Sequence, residues 1–227
     1  MVDARAVMTA RNNADWYATL FAAHGCRFDR FDDAFVAVDP PPPFHSWVTI
    51  TAPELGVETQ QRLAEMAKQV DFVVKDSFCT LDLDELRLQP FIEASWIYCE
   101  APSETDLAAW HRVRSAADLE EWEAAWSDGS ISPARQFPDA LLGRPEIACW
   151  GRRRDGVIDG GAIANRSLDC TGLSNVFGDA AVMAAARLCW EFGDGLPVVG
   201  YEWSDALDEA TAAGFAAVGA LRICARR

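Results

Sequence analysis

Hydrophobic positions in the first hundred residues follow the helical period in some stretches and the strand period in others. The apolar face running from Trp16 to Phe21 predicts a helix, which Asn12 or Asn13 is placed to cap and Gly25 to end. The four consecutive prolines at 40–43 form either a ligand for a proline-recognition domain or, as we favour, a surface loop within a domain. The other elements predicted here are strands at 26–31, 34–38, 46–51, 72–75 and 94–99 and helices at 58–70 and 83–88.

The remainder of the chain predicts a strand, a helix, three strands, a helix, a strand, a helix and a strand, in that order. Ser115, with Asp118 three residues later, forms a variant of the capping box, so a helix begins there. The dipeptide Asp155-Gly156 lies between two strand patterns and is typical of a tight hairpin turn. Such a mixture predicts an α/β fold of the α+β kind. The predicted positions are 110–114, from 115 onward, 147–152, 157–165, 172–177, 180–192, 197–201, 205–213 and 216–225.

A short internal repeat suggests that the chain has two related halves. Leu83-Asp84-Glu85 matches Leu207-Asp208-Glu209 at a distance of 124 residues, and Phe91 matches Phe215 at the same distance. Each copy follows one predicted hydrophobic strand and precedes another. We therefore predict two α/β domains, residues 1–104 and 105–227, joined near Ala101–Thr105.

Composition and charge narrow the class of protein. Half of the 227 residues are hydrophobic and 11% are aromatic, which is enough for a packed core. The formal charge is −15, and neither half is basic, which argues against nucleic acid or an anionic membrane as a partner. The longest apolar run, Ala180–Ala186, is much shorter than the ~20 residues that span a bilayer. With no apolar segment after the N-terminus, the expected location is cytoplasmic.

The cysteines and histidines give no sign of a metal site. The seven cysteines are odd in number, and no Cys-x-x-Cys motif occurs among them. This pattern favours reduced, mostly buried thiols over a disulfide framework or a zinc site. The three histidines lie far apart in the sequence. We therefore expect no metal cofactor.

The C-terminal segment carries a resemblance to a known family. Ala212-Ala213-Gly214-Phe215, followed by Val218-Gly219-Ala220-Leu221-Arg222, resembles the ending of GNAT superfamily N-acetyltransferases. Asp205-Ala206-Leu207 is similar to the start of that family's penultimate helix, and Gly161-Ala162-Ile163-Ala164 to one of its strands. The resemblance implies a tandem, partly degenerate protein of two GNAT-like halves. It also implies a mixed, largely antiparallel central sheet flanked by helices.

The resemblance further implies an acetyl-CoA site where a central strand meets a helix. The corresponding turn contains Asn175, Val176, Phe177, Gly178, Asp179, Ala180 and Ala181. In the family, backbone N–H groups of such a turn hold the pyrophosphate at a helix N-terminus. Here no Arg or Gln precedes the turn and no second Gly follows Gly178. The first N–H groups of the following helix can be capped by the Asp179 side chain or can bind a phosphate, but not both. We favour the cap, because Asp179 competes with a phosphate for the same N–H groups.

Candidate catalytic residues lie at the end of the preceding strand. Family members commonly have a general-acid Tyr where this chain has Thr211, whose hydroxyl is a poorer proton donor. Tyr201 and Glu202 end the strand before this helix, and Glu202 is the best candidate for a general base. The alternative, which we favour for an isolated carboxylate, is that they form an ordinary strand end. Arg152-Arg153-Arg154 either contacts a cofactor phosphate or, as we favour, forms a solvated hairpin tip.

Two functions are compatible with these observations. One is an acetyl-CoA-dependent N-acyltransferase that acts on a small amine. The other is a non-catalytic GNAT-like sensor of small molecules or an interaction protein that has lost the pyrophosphate motif. A V-shaped opening after Phe177, beside accessible amides, would support the enzyme. A cleft filled by Trp190 or Trp203 would support the second function.

Overall fold

The computed structural model describes residues 2–127 and 135–226. Within these two ranges there are six α-helices, a short 3₁₀ helix at Asp139–Gly143 and eleven strands. The helices are α1 Ala4–His24, α2 Val57–Met66, α3 Leu83–Leu86, α4 Ala116–Trp126, α5 Ala181–Phe192 and α6 Ser204–Ala212. The strands are β1 Phe28–Arg30, β2 Ala34–Ala37, β3 Val48–Ile50, β4 Val73–Asp76, β5 Leu88–Cys99, β6 Trp110–Arg112, β7 Ile147–Arg154, β8 Val157–Arg166, β9 Thr171–Phe177, β10 Val198–Glu202 and β11 Ala216–Arg226.

All eleven strands form one continuous sheet, in the order β1-β2-β3-β4-β11-β5-β10-β9-β8-β7-β6. Neighbours are antiparallel except for two parallel pairs, β3 with β4 and β9 with β10. The predicted α+β fold with a mixed, largely antiparallel sheet flanked by helices is therefore confirmed. On the C-terminal strands, α5 and α6 pack against one face, which includes Ala162, Leu173 and Val198. Helices α1 and α4 lie on the other face.

Apart from β6 and the 3₁₀ helix of the second half, both halves of the chain show the same order of elements. Each has a helix, three strands, a helix, a strand, a helix and a strand, and in each the first of the two parallel strands is followed by a helix (α2 or α5). The last strands are interleaved, because β11 lies between β4 and β5 while β5 lies between β11 and β10. The halves therefore share hydrogen bonds at the centre of the sheet. The division at residue 104 stays a prediction.

Every helix and strand predicted from the sequence is present, but the first helix begins much earlier than predicted. It begins at Ala4 and is capped by Asp3, whose carboxylate accepts a hydrogen bond from the Arg5 amide. Asn12 and Asn13 lie inside this helix, so their prediction as caps is wrong. Ala-rich turns before Asn12 extend the helix, and tertiary contacts hold both amides. The helix does end at Gly25, which has a φ of 73°.

The two phenylalanines that matched in the repeat do not occupy equivalent positions. Phe91 lies within β5 and is 57% exposed, whereas Phe215 precedes β11 and is buried. The cause is the length of β5, which begins at Leu88 rather than at residue 94. Among the residues described, no helix has the length and apolar character needed to cross a membrane.

Candidate functional site

The parallel strands β9 and β10 separate after a short stretch of pairing. They pair only at Thr171 with Val198 and at Gly172 with Val199, although both strands continue beyond these residues. Strand β10 stays paired with β5 along its whole length, so the split lies on its β9 side. Gly200 lies where the strands part, and a Cβ there would be 2.8 Å from the Leu173 carbonyl oxygen. The opening was expected after Phe177, whereas the strands part earlier, at Leu173 and Gly200, so the split runs alongside the second half of β9.

A bulge in β9 widens this split. Between the pairs Gly161–Phe177 and Ile163–Ser174, strand β9 has one residue more than β8. Asn175 lies in this bulge and has a φ of 54°. A bulge of this kind bends its strand and leaves backbone groups unpaired. The bulge thus turns β9 away from β10 next to the predicted cofactor turn.

A cavity of about 270 Å³ fills the split and is closed on one side by α1. Ser174, Asn175 and Val176 of β9 line one wall, and Tyr201 and Glu202 of β10 line the opposite wall. Successive strand residues point to opposite faces of a sheet. Tyr201 and Glu202 therefore line the cavity from opposite faces of the sheet. Aromatic rings supply much of the remaining lining. They belong to Trp16, Tyr17, Phe44, Trp96, Trp126 and Trp203.

Glu202 is the one acid among the described residues that line the cavity. Burial raises the pKa of its carboxyl to about 7, and the nearby charge of Glu209 on α6 contributes to the rise. No Arg or Lys among the described residues forms an ion pair with Glu202. A carboxylate that titrates near neutral pH in a cavity is suited to accept a proton. The prediction of Glu202 as a candidate base is consistent with this geometry.

Tyr201 lies on the α1 face, where it packs among aromatic rings. Its ring meets Trp96 edge to face at 5.6 Å and stacks on Trp203 at 6.1 Å. Burial raises the pKa of Tyr201 well above its usual value, so the phenol stays protonated. Tyr201 can therefore donate a hydrogen bond but does not serve as a base at neutral pH.

Lys75 on β4 is a buried cation beside this site that the sequence analysis missed. Its Nζ lies 4.2 Å from the centre of the Tyr201 ring and 4.8 Å from that of Tyr17. Nζ donates a hydrogen bond to Asn13 Oδ1 at 2.8 Å. Burial lowers the pKa of Lys75 to about 7. The unusual succession of a lysine and an aspartate directly after Val73-Val74 was the only sequence signal for it.

Asn12 and Asn165 fasten α1 over the cavity. Asn12 Nδ2 donates to the Asn165 carbonyl at 3.2 Å, and Asn165 Nδ2 donates to the Asn12 carbonyl and side-chain oxygens at 3.1 Å. Both residues are buried and both line the cavity. Gly172 leaves room for them, since a Cβ there would lie 2.1 Å from Asn12 Oδ1. A helix of the N-terminal half therefore forms part of a site in the C-terminal half.

The predicted cofactor turn leads into α5 with its amides uncapped. The N-cap is Ala180, with a φ of 52°, and no side chain accepts a hydrogen bond there. The prediction that Asp179 caps this helix is therefore wrong. The positive φ values of Gly178 and Ala180 displace the helix start by one residue from the Asp179 side chain. Gly178, Asp179 and Ala180 are exposed, so the turn before this helix start is open to solvent, and the Ala181 amide donates to the Gly178 carbonyl.

The equivalent helix of the N-terminal half has a carboxylate at its N-terminus. Asp33 Oδ2 accepts a hydrogen bond from the Gly56 amide at 2.6 Å, and Asp33 Oδ1 accepts one from Thr59 Oγ1 at 2.6 Å. An anion that needed the start of α2 would compete with this carboxylate. No side chain among the described residues caps the first turn of either helix, but the α2 start has the hydrogen-bonded carboxylate of Asp33 beside it.

Arg152 contacts the backbone of the turn that precedes α5. It is buried, forms an ion pair with Asp159 at 2.8 Å and donates to the Asp179 carbonyl at 2.8 Å. Arg153 forms an ion pair with Glu121 at 2.7 Å. The favoured prediction of a solvated tip is therefore wrong for Arg152, because the hairpin folds back onto the cofactor turn.

The remaining predicted positions lie outside the cavity or at its edge. Thr211 donates its hydroxyl to the Leu207 carbonyl at 2.8 Å, within α6. Trp190 packs with α5 against the sheet, and Trp203 is 44% exposed at the cavity edge. Neither indole fills the cleft. Across the described ranges, no group of three or more His, Cys, Asp or Glu residues is arranged to hold a metal ion.

Solved structures of GCN5-related N-acetyltransferases have the same fold. The chain is similar to one from Kribbella flavida, with a TM-score of 0.64, 14% identity and coverage of 96% of this chain and 95% of that one. A putative GNAT-family acetyltransferase from Novosphingobium aromaticivorans gives a TM-score of 0.57, 12% identity and coverage of 88% and 91%. A GCN5-related N-acetyltransferase-like protein from Streptococcus suis gives 0.52, 14%, and 98% of both chains. No protein-family model and no curated protein matches the sequence. The likeness is one of fold.

Proposed function

We propose that this protein is an N-acyltransferase that uses acetyl-CoA and acts on a small amine. The observation that carries the proposal is the cavity between the separating strands β9 and β10, which has Glu202 at the end of one strand and the open start of α5 after the other. The fold shared with GCN5-related N-acetyltransferases supports the same activity at the level of the superfamily. Fold alone does not decide function, so the site carries the argument.

The residues of the turn fit the pyrophosphate of an acyl-CoA. Gly178, Asp179 and Ala180 are exposed, and no side chain caps the amides of the first turn of α5. The Ala181 amide donates to the Gly178 carbonyl, so the later amides of this turn are the ones offered to an anion. A helix N-terminus with free N–H groups favours an anion. Arg152 adds a guanidinium against the same turn, although Asp159 balances its charge. The carboxylate of Asp179 weakens this attraction without removing it.

Glu202 is proposed to remove a proton from the acceptor. Most amines are protonated at neutral pH, and the lone pair of nitrogen is needed for attack on a carbonyl carbon. Acetyl-CoA supplies the acyl group and a thiolate leaving group. Glu202 takes a proton from the ammonium, the nitrogen forms a bond to the carbonyl carbon, and the carbon–sulfur bond breaks. The nitrogen then loses its second proton as the amide forms, and the thiolate takes up one proton, which Thr211 is not placed to supply.

A second function remains a candidate because of two specific observations. Thr211 replaces the family's general-acid Tyr and is hydrogen-bonded within its own helix. The turn also lacks the leading Arg or Gln and the second Gly of the family pattern. Both features suit a GNAT-like sensor that binds a small molecule at the same cavity without reacting.

Initial rates of thiol release distinguish the two functions. The purified protein is mixed with acetyl-CoA and a panel of small amines, and free thiol is followed with a chromogenic disulfide. We expect amine-dependent release that falls by about 10²- to 10⁴-fold in Glu202→Gln, the usual contribution of a general base. The matched control is Glu100→Gln, at an exposed acid outside the cavity. Amine binding without release, or equal rates in wild type and Glu202→Gln, would contradict the proposed reaction.

A further inference from the structure

We propose that the acceptor held between β9 and β10 is a monoamine with an aromatic or similarly planar body and no carboxylate. This inference rests on the proposed N-acyltransferase function and narrows its substrate class. The charges and the ring faces that line the cavity both define this class. The cavity volume of about 270 Å³ suits a small molecule.

The charges of the lining admit one cation and no anion. Of the described residues that line the cavity, Glu202 is the only acid, and none is an Arg or Lys. Burial lowers the pKa of His45 to about 4, so this ring is neutral at pH 7. A polyamine would bury a second ammonium with no acidic partner. An amino acid would bury a carboxylate with no basic partner, and such unpaired charges are costly.

The inner rings suit an ammonium attached to a flat apolar body. Tyr17, Trp96 and Tyr201 line the cavity on the α1 face, and Tyr201 stands edge to face against Trp96. Aromatic faces attract cations, and they stack on planar groups in offset or edge-to-face geometry. Glu202 at the cavity wall fixes where the charged end lies. The body then lies among the rings.

Phe44 and Trp126 form an aromatic edge to the cavity. Phe44 is 84% exposed, has a φ of 66° and meets the Trp126 ring edge to face at 5.9 Å. A phenylalanine in a left-handed conformation with its ring in solvent is unfavourable on both counts. Strained positions of this kind cluster at ligand sites. A planar body that covers the Phe44 ring would remove apolar surface from water.

Lys75 does not alter the class of ligand. Its Nζ approaches the Tyr17 and Tyr201 rings and donates to Asn13, but Lys75 does not line the cavity. It therefore offers no partner to a ligand carboxylate.

The test is calorimetric titration at pH 8 without acyl-CoA, using four matched probes. They are 2-phenylethylamine, phenylalanine, 2-phenylethanol and butane-1,4-diamine, which differ in a carboxylate, the charge or the aromatic body. We expect 2-phenylethylamine to bind at least about ten-fold more tightly than each of the others. Equal affinity for any of the other three, or no binding of 2-phenylethylamine, would overturn the proposal. Because no acyl donor is present, failure of acyl transfer leaves this result unaffected.

Two variants with matched controls locate the binding. Phe44→Ala removes an exposed ring and is expected to weaken 2-phenylethylamine about two- to ten-fold, whereas Phe91→Ala, at an exposed ring on β5, is expected to have no effect. Glu202→Gln is expected to weaken it about ten- to hundred-fold, with Glu100→Gln as the control. Unchanged affinity in both Phe44→Ala and Glu202→Gln would place the amine elsewhere and overturn the proposal.

Discussion

The ammonium nitrogen of Lys75 lies 4.2 Å from the centre of the Tyr201 ring, although Lys75 is fully buried. No carboxylate among the described residues pairs with it, and its one hydrogen bond goes to the neutral amide of Asn13. The protein therefore keeps a poorly compensated cation next to the strand that carries the candidate catalytic residues. Such an arrangement costs stability and makes that stability depend on pH.

Replacement of Lys75 by Met should stabilise the protein most at neutral and acidic pH. The folded-state pKa is lowered to about 7 from an ordinary value of 10.5. Below pH 7 both folded and unfolded states are protonated, and the full cost of burying the charge is present. Between pH 7 and 10.5 the unfolded state binds more protons, so the stability of the wild type rises with pH. The free energy of unfolding, measured with urea, should exceed that of the wild type in Lys75→Met at pH 6.

The difference between Lys75→Met and the wild type should shrink as the pH approaches 10. At about 1.4 kcal/mol per pKa unit, the effect near pH 7 amounts to several kcal/mol, less whatever the contacts of Nζ contribute. A difference that does not change between pH 6 and pH 10 would show that Lys75 does not titrate as described.

The pH dependence of catalysis should follow Glu202. Its pKa is about 7, so kcat/KM should rise through pH 7 as the carboxylate forms. Burial is the main cause, and the charge of Glu209 is the second. Glu209→Gln should therefore move the rise to lower pH while leaving the plateau rate nearly unchanged. A profile in which Glu209→Gln does not move the rise would assign the titration to another group.

The two equivalent helix starts should respond differently to loss of an aspartate. Asp33→Ala removes the acceptor of the Gly56 amide and the Thr59 hydroxyl, and should cost about 1–2 kcal/mol of unfolding free energy. Asp179→Ala, where no cap exists, should change stability by less than about 0.5 kcal/mol. Urea unfolding of the two variants makes the comparison. Equal losses would mean that Asp179 does cap α5 in solution.

The split between β9 and β10 should not tolerate a side chain at Gly200. A Cβ there would lie 2.8 Å from the Leu173 carbonyl oxygen, and β10 cannot retreat because it is fully paired with β5. Gly200→Ala should cost about 1–3 kcal/mol, as overpacking does, and should weaken acetyl-CoA binding. Gly143→Ala is the matched control, since a Cβ there meets nothing within 4 Å. Similar unfolding free energies in these two variants would contradict the described split.

The order of helices and strands could be predicted from the sequence because it depends on local features, namely short-range hydrophobic periodicity and turn residues. Asp155-Gly156 forms the expected hairpin turn with φ values of 49° and 83°, and Ser115 caps α4 as predicted. The prediction of where α1 begins was wrong because asparagine is a common N-cap residue. Nothing in the local sequence shows that Asn12 instead forms a hydrogen bond with Asn165, 153 residues away. The interleaving of β5 and β11 is likewise a long-range property.

The candidate site was predicted only in part. Glu202 was chosen as a candidate because it ends the strand before α6, next to the cleft that the resemblance to GNAT proteins implies. Lys75 and Asn13 were missed, since their roles appear only when α1 crosses the sheet. Asp179 was misjudged because a shift of one residue in a helix start, caused by the backbone at Ala180, changes which side chain can cap it.

Titration of acetyl-CoA into wild type, Asp179→Asn and Ala180→Asp, followed by calorimetry, is the most direct test of the open α5 start. We expect saturable binding at one site in the micromolar range in wild type. Asp179→Asn should bind about two- to five-fold more tightly, and Ala180→Asp more weakly by a similar factor, because charge at a helix N-terminus acts on this scale. Asp tolerates the left-handed conformation that residue 180 adopts, so Ala180→Asp is compatible with the backbone there. Absence of binding at millimolar acetyl-CoA, or equal affinity in all three proteins, would contradict the account.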